Sequence, residues 1–373
     1  MTVKMSPAFS IYLDLVRLAS AGVVLLSHYP TTVSQAAITN RFNFAYDAVI
    51  VFFVLSGYVI SYAVDTKEDN GVVYSVNRIA RILPVAAVAV VLSLLLMMWG
   101  SQTSPAMYPD VSQLQLPFYY VARTLSFTNE FWWDDIRPFM NGPYWSLAFE
   151  VWCYVIYGLV VFTRGPWRVA FVSLALLVTG PKQWLMLPIW FAGVAAYRYR
   201  DRFSPSRGLL WLLCLGPVAL FAGIQLNNPR DWSYPLVGMQ IERVLGHGLD
   251  SAANFGWGYV LAALMSVHLI AVRQLCRTTT LDTEGRAGTL VRQLASYTFS
   301  LYILHYPLTL FWRAQLEPAQ ESWDPALRAL IYAGILIPVF VLGQLVERRR
   351  KAFRQAVRRV LTLAQRLTAP RAQ

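Results

Sequence analysis

Charge is scarce in this chain. Only 14% of its 373 residues are Asp, Glu, Lys or Arg, and Lys supplies just four of the 32 basic ones. A water-soluble globule clothes itself in more ionisable side chains than that, so a large polar surface is excluded. Cysteine is nearly absent too. Cys153, Cys214 and Cys276 lie in or at the edge of apolar runs with no short spacing between them, which argues against a disulfide framework or a zinc cage. There is no tandem repeat, low-complexity segment or linker wide enough to join a second domain. A cleavable leader is not expected either. The first apolar stretch carries Asp14 and Arg17 with no small-residue cleavage site after it, so it is read as the first spanning helix.

What the chain has in abundance is apolar sequence. Hydrophobic residues make up 56% and the mean hydropathy is +0.43. Residues 82–99, 208–226 and 329–346 contain no charge; 144–162 contains only Glu150, 294–312 only His305, 255–272 only His268 and 44–64 only Asp47, while 11–30 carries Asp14, Arg17 and His28. Each is long enough to span a bilayer. Residues 169–197, split at Gly180-Pro181-Lys182, are read as two short helices, because basic residues flank the pair on both sides and only an even number of crossings joins them. The expected fold is therefore all-α, a polytopic membrane protein of about ten transmembrane helices with both termini cytoplasmic. The formal charge of +12 raises the question of nucleic acid, but the basic residues sit in short connections and in the tail, where membrane orientation accounts for them. Residues 1–346 are expected to form the membrane domain. Residues 347–373 place Phe353, Val357, Val360, Leu361, Ala364 and Leu367 at helical spacing among arginines, the pattern of a basic amphipathic tail on the inner leaflet. The long connections 100–143 and 227–254 fall outside, and loops of that length are commonly functional.

Ionisable side chains within spans are costly and are the first candidates for function. At 1.5 Å per residue, Arg17 lies about 9 Å in from the inner edge and His28 about 25 Å. Eleven residues at about 100° each return to within about 20° of the same face, so both look into one interior. Asp14, three residues before Arg17, is at ion-pair spacing and by itself explains part of Arg17's presence. Glu150, six residues into its run, falls near the level of His28, where a carboxylate would orient the imidazole as a general base requires. His305 falls at mid-membrane behind Tyr302; a lone histidine there is as often a helix-to-helix hydrogen-bonder. Arg78 and Arg81, three apart at a helix start, suit phosphate or simple positive-inside bias. His268 and His247 carry less signal, and Ser56-Gly57 suggests close helix packing.

Five of these elements together resemble the acyltransferase-3 family of membrane O-acyltransferases. They are Arg17 with His28, the segment Phe52 to Gly57, Arg78 with Arg81, Trp145 to Glu150, and residues 296–307, in family order over most of the chain. The resemblance implies transfer of an acyl group, usually acetyl, from cytoplasmic acetyl-CoA to a hydroxyl of a saccharide or lipid-linked saccharide at the outer face of a bacterial inner membrane. It implies His28, Glu150 and Arg17 as catalytic residues, and Arg78, Arg81, Arg17, Tyr302 and His305 around the acyl donor. No permanently bound cofactor and no metal are expected; the partners are the acceptor, acyl-CoA, membrane lipids and polysaccharide assembly proteins. Two other classes accommodate buried polar helices: a transporter or channel, and a non-catalytic subunit of a polysaccharide export complex.

Overall fold

The computed structural model describes residues 5–202, 205–277, 283–317 and 322–368, with the backbone alone for residues 39–40 and 361–368. Among these residues every regular element is a helix, as a lipid solvent demands of a chain that must satisfy its own backbone groups. In chain order they are α1 Pro7–His28, α2 Val33–Phe42, α3 Phe44–Lys67, α4 Gly71–Thr103, α5 Pro117–Leu125, α6 Trp145–Phe162, α7 Gly165–Thr179, α8 Pro181–Tyr199, α9 Arg207–Gln225, α10 Pro229–Ser233, α11 Met239–Leu245, α12 Phe255–Leu275, α13 Arg286–Ser296, α14 Thr298–Leu316 and α15 Pro325–Thr368.

Seven of these are long and apolar enough to cross a membrane: α1, α3, α4, α6, α9, α12 and α15. α7 and α8 pass that test only together, and the chain turns by 120° between them. The turn is made by Gly180, whose φ of +83° suits glycine and where an added Cβ would sit 2.8 Å from Trp132 Cα. α14 is too polar to qualify alone, yet it packs between α1, α4 and α15 and its histidine is fully buried.

Inter-helix contacts sort the ends of the bundle into two faces. At the His28 end, Ser104 Oγ donates to Ala314 O at 2.5 Å, Trp132 N to Thr179 O at 3.0 Å, and Arg230 Nη1 to Phe42 O at 2.7 Å. At the other, basic end Asp201 accepts from Arg273 at 2.5 Å and Arg277 at 3.4 Å. The bent pair α7–α8 has its apex at the His28 end, bound to the 126–137 connection.

The buried polar groups act as fasteners. Asp47 is 4% exposed and accepts from Arg230 at 2.5 Å, Gln225 at 2.6 Å and Trp257 at 2.8 Å, joining α3, α9, α10 and α12. Of the five prolines inside described helices, two, Pro307 and Pro338, each free a carbonyl four residues earlier that a side chain reaches. Side chains fill both vacancies. Pro307 frees Ile303 O, which accepts from Asn141 Nδ2 at 3.0 Å, and Pro338 frees Gly334 O, which accepts from Trp312 Nε1 at 2.9 Å.

No new helix starts at residue 347: α15 is continuous over 44 residues, a length of about 66 Å that exceeds the ~30 Å hydrocarbon core twofold. It therefore runs on from the last span, and Leu361, Ala364 and Leu367 of the proposed amphipathic face lie outside the described side chains. The sequence also shows none of the short loop helices α2, α5, α10 and α11, which lack the apolar length of a span.

α3 and α8 pack backbone against backbone at two glycines. A Cβ on Gly57 would sit 2.1 Å from Trp190 O, and one on Gly193 1.9 Å from Val54 O. Gly57→Ala and Gly193→Ala should each destabilise the detergent-solubilised protein by roughly 1–3 kcal/mol, the range for overpacking. Gly22→Ala, whose Cβ meets nothing within 4 Å, should not destabilise it; thermal unfolding followed by size-exclusion chromatography makes the comparison.

Candidate functional site

α1 supplies the axis of the site. It starts on an N-cap in which Ser6 accepts from Phe9 N at 3.3 Å, and its last residue is His28. The His28 ring meets His305 of α14, with Nδ1 and Nε2 3.2 Å apart. The tautomers follow from the carbonyls around them. His305 Nδ1 lies 3.0 Å from Leu301 O and 2.9 Å from Tyr302 O; both oxygens only accept, so this nitrogen carries the proton and Nε2 presents its lone pair to His28. His28 Nδ1 therefore donates, shared between His305 Nε2 and Val24 O at 2.9 Å. That leaves His28 Nε2 unprotonated, able to accept a proton. The edge of Tyr306, with ring centroids 5.1 Å apart, completes the packing.

Glu150 is elsewhere. Its Oε1 accepts from Ser56 Oγ at 2.6 Å and Tyr154 OH at 2.5 Å, and the expected meeting with His28 does not occur. The depth count fails at its starting point. Tyr144 is fully buried and Asn141 is 1% exposed, because the preceding connection fills the mouth of the bundle. α6 begins below the surface, and Glu150 lands beside the middle of α3.

Three cavities run in series. A basic vestibule of about 260 Å³ is lined by Asp14, Arg17, Arg81, Arg292, Glu347 and Arg350. Arg17 and Arg81 also line a central cavity of about 70 Å³, where they share the wall with Ser56, Glu150, Tyr154 and Tyr302. Beyond it an outer cavity of about 280 Å³ holds His28, Tyr306, Trp145, Arg137 and Asp250. Val49 and Tyr302 line both the central and outer cavities. Tyr302 is held there by Ser146 Oγ at 2.6 Å and by donating to Pro143 O at 3.1 Å.

The structure thus brings Arg17, Arg81, Glu150, Tyr302 and His28 onto one path, with Arg17 tied to Asp14 at 3.5 Å and His305, fully buried, behind His28. It leaves Arg78 off that path. Arg78 bonds Glu68, lies over the rings of Tyr74 and Tyr154 at 5.2 and 5.8 Å, and faces a lateral cavity between α4 and α6. Of the loop aromatics, Trp145 alone among Trp132, Trp133, Tyr144 and Trp145 lines the outer cavity; Trp133 instead stacks on His247 at 4.3 Å, joining the two long connections. Residues that the sequence did not single out include Ser56 as a partner of Glu150, and Arg292 and Arg350 at the vestibule. The latter two are indistinguishable in sequence from the other arginines of basic loops.

Over the outer cavity lies a buried clasp. Lys182 is fully buried; its Nζ donates to Glu130 Oε2 at 3.1 Å and to Asp134 O at 2.5 Å, and Ser251 Oγ donates to the same Glu130 oxygen at 2.9 Å. Burial pushes the Glu130 carboxyl up, and the Lys182 ammonium beside it pulls it back toward the charged form. The clasp fixes Asp250 and Ser251 beside the outer cavity.

A family model described as an acyltransferase domain matches residues 10–359. With seven helices of membrane-spanning length and composition, this defines the class as a membrane-embedded acyltransferase. The chain belongs to the acyltransferase-3 family. It is similar to an O-acetyl transferase of Shigella phage Sf6, 23% identical over 305 residues that make up 79% of this chain and 83% of that one. No solved structure matches the chain.

Removing one partner from a buried ion pair strands the other charge. Lys182→Met should therefore lower stability by roughly 3–5 kcal/mol and expose the 126–137 connection to protease, measured by unfolding and limited proteolysis. The partly exposed pair of Arg137 and Asp135, 3.0 Å apart, should yield well under 1 kcal/mol when Asp135→Asn breaks it.

Proposed function

We propose that this protein is an O-acetyltransferase of a bacterial inner membrane, moving an acetyl group from cytoplasmic acetyl-CoA to a hydroxyl of a saccharide or lipid-linked saccharide at the outer face. The observation that carries the reading is the series of cavities leading from an arginine-lined mouth to an imidazole with a free Nε2. Family membership and the name of the phage relative support acyl transfer. They favour an enzyme over a transporter or a non-catalytic export subunit.

The basic end is assigned to the cytoplasm by the positive-inside rule. In this orientation α14 and both arms of the bent pair complete ten crossings, and both termini are cytoplasmic. The apex of α7–α8, bonded to the 126–137 connection, supports counting those arms as two short crossings.

The chemistry follows from the proton positions. His28 Nε2 takes the proton of the acceptor hydroxyl as its oxygen attacks the thioester carbonyl; the C–O bond forms, the C–S bond breaks, and the proton passes from His28 to the departing thiolate. His305 acts through His28 as a positioning residue, holding the ring in the tautomer that leaves Nε2 free. Arg17 and Arg81 bind donor phosphates by charge-assisted hydrogen bonds. Glu150, with Ser56 and Tyr154, lines the passage opposite those arginines, and Arg78 serves the α4–α6 packing instead.

Ester content of the surface polysaccharide tests the reading in cells whose own copy is replaced by a variant. His28→Ala should insert normally and lose acetylation by about 10²-fold or more. His305→Ala should lose less, because the base survives without its orienting partner. Full acetylation by His28→Ala removes His28 from the chemistry.

A further inference from the structure

The outer cavity beside His28 carries hydrogen-bonding groups that the protein itself does not use. Tyr46 is 7% exposed, yet its hydroxyl has no partner, and neither has the buried Oδ1 of Asn254. Both residues line the cavity, and Asp250 shares its wall. The charge of Asp250 is offset: Lys182 Nζ lies 3.7 Å away and Arg137 interacts with it electrostatically. Its lone pairs remain open, because 3.7 Å is beyond hydrogen-bond reach and no other donor among the described residues bonds this carboxylate.

The clasp holds these groups in place, since Ser251, next to Asp250, donates to Glu130 at 2.9 Å. Val24, Ala45, Val49 and Pro143 supply an apolar part of the same lining. A sugar ring matches such a site, with hydroxyls around its rim and an apolar C–H face. The volume of about 280 Å³ is at the lower limit of ligand pockets, ~300 Å³, and suits one ring better than an oligosaccharide. A ring with its own carboxylate would be repelled by Asp250. The two cations nearby are already engaged, Lys182 by Glu130 at 3.1 Å and Arg137 by Asp135 at 3.0 Å.

We propose that the outer cavity seats a single neutral pyranose residue of the acceptor. Asp250 selects and positions this ring by accepting a hydrogen bond from one of its hydroxyls while a neighbouring hydroxyl meets His28 Nε2. The proposal rests on the acceptor being a saccharide. It makes the 227–254 connection, through the clasp, the part of the chain that reads the acceptor.

The test uses the full-length protein in nanodiscs, with acetyl-CoA as donor. The acceptor probes are the methyl pyranosides of glucose, galactose and mannose, with their monodeoxy derivatives. In wild-type protein, removing one hydroxyl other than the esterified one should lower acceptor kcat/KM by about tenfold or more, the effect of losing a hydrogen bond to a charged group. Asp250 has a φ of +46°, a left-handed conformation that glycine adopts freely, so Asp250→Gly removes the carboxylate without straining the chain. This variant should lose as much with the parent sugar, lose nothing further with that deoxy sugar, and keep its KM for acetyl-CoA. Asp250→Asn, which retains the shape and one accepting oxygen, should lose less. Equal losses toward parent and deoxy sugars would make Asp250 a member of the clasp alone and overturn the proposal, as would an unchanged acceptor kcat/KM in Asp250→Gly. The deoxy series needs no variant, and equal rates for all its members in wild-type protein overturn the proposal too. Preference for the methyl glucuronide, or acetylation of only disaccharides and longer chains, rejects the neutral single ring. A wild-type protein that acetylates no saccharide, the cell's own surface polysaccharide included, overturns the acetyltransferase reading itself.

Discussion

A polar group inside an apolar layer must find its partner within the chain, because no water is there to supply one. Most of what is specific about this bundle follows from that constraint. Prolines in α14 and α15 open carbonyls that Asn141 and Trp312 close. Asp47 gathers three donors from three other helices, and Lys182 is buried only because Glu130 and a backbone carbonyl receive it. These bonds tie long connections to helix ends, so the loops at the His28 end are part of the fold and not an appendage to it.

The same constraint separates structural from chemical polarity. At Asp47 and Lys182 the bonds close on themselves and fasten elements together. Along the path from the vestibule they do not: Arg81 makes no hydrogen bond to the described residues, and His28 keeps one nitrogen without a proton. Groups left unsatisfied in a place where satisfaction is so strongly favoured are the ones available to a substrate.

Much of this was legible in the sequence, and the failures have identifiable causes. Apolar windows located the seven helices long and apolar enough to cross a membrane, and the eleven-residue interval put Arg17 and His28 on one face of α1, as the cavities they line require. Glu150 was misplaced because a linear depth count assumes that a helix starts at the membrane surface, while Tyr144 lies beneath a packed connection. His305 appeared to be a lone histidine because its partner is 277 residues away. Arg78 and Arg81 looked equivalent at one helix start, but Glu68 claims the first. That α15 runs on unbroken through the change from apolar to basic residues is a matter of helix length, on which composition is silent.

Two side chains, Val49 and Tyr302, stand between the cavity that opens on the arginines and the one that holds His28. A membrane that stores energy as an ion gradient tolerates no standing water column through it. If the proposed function holds, Tyr302, pinned to Ser146 and Pro143, is also insulation: an acyl group is handed across while the voltage on either side stays apart.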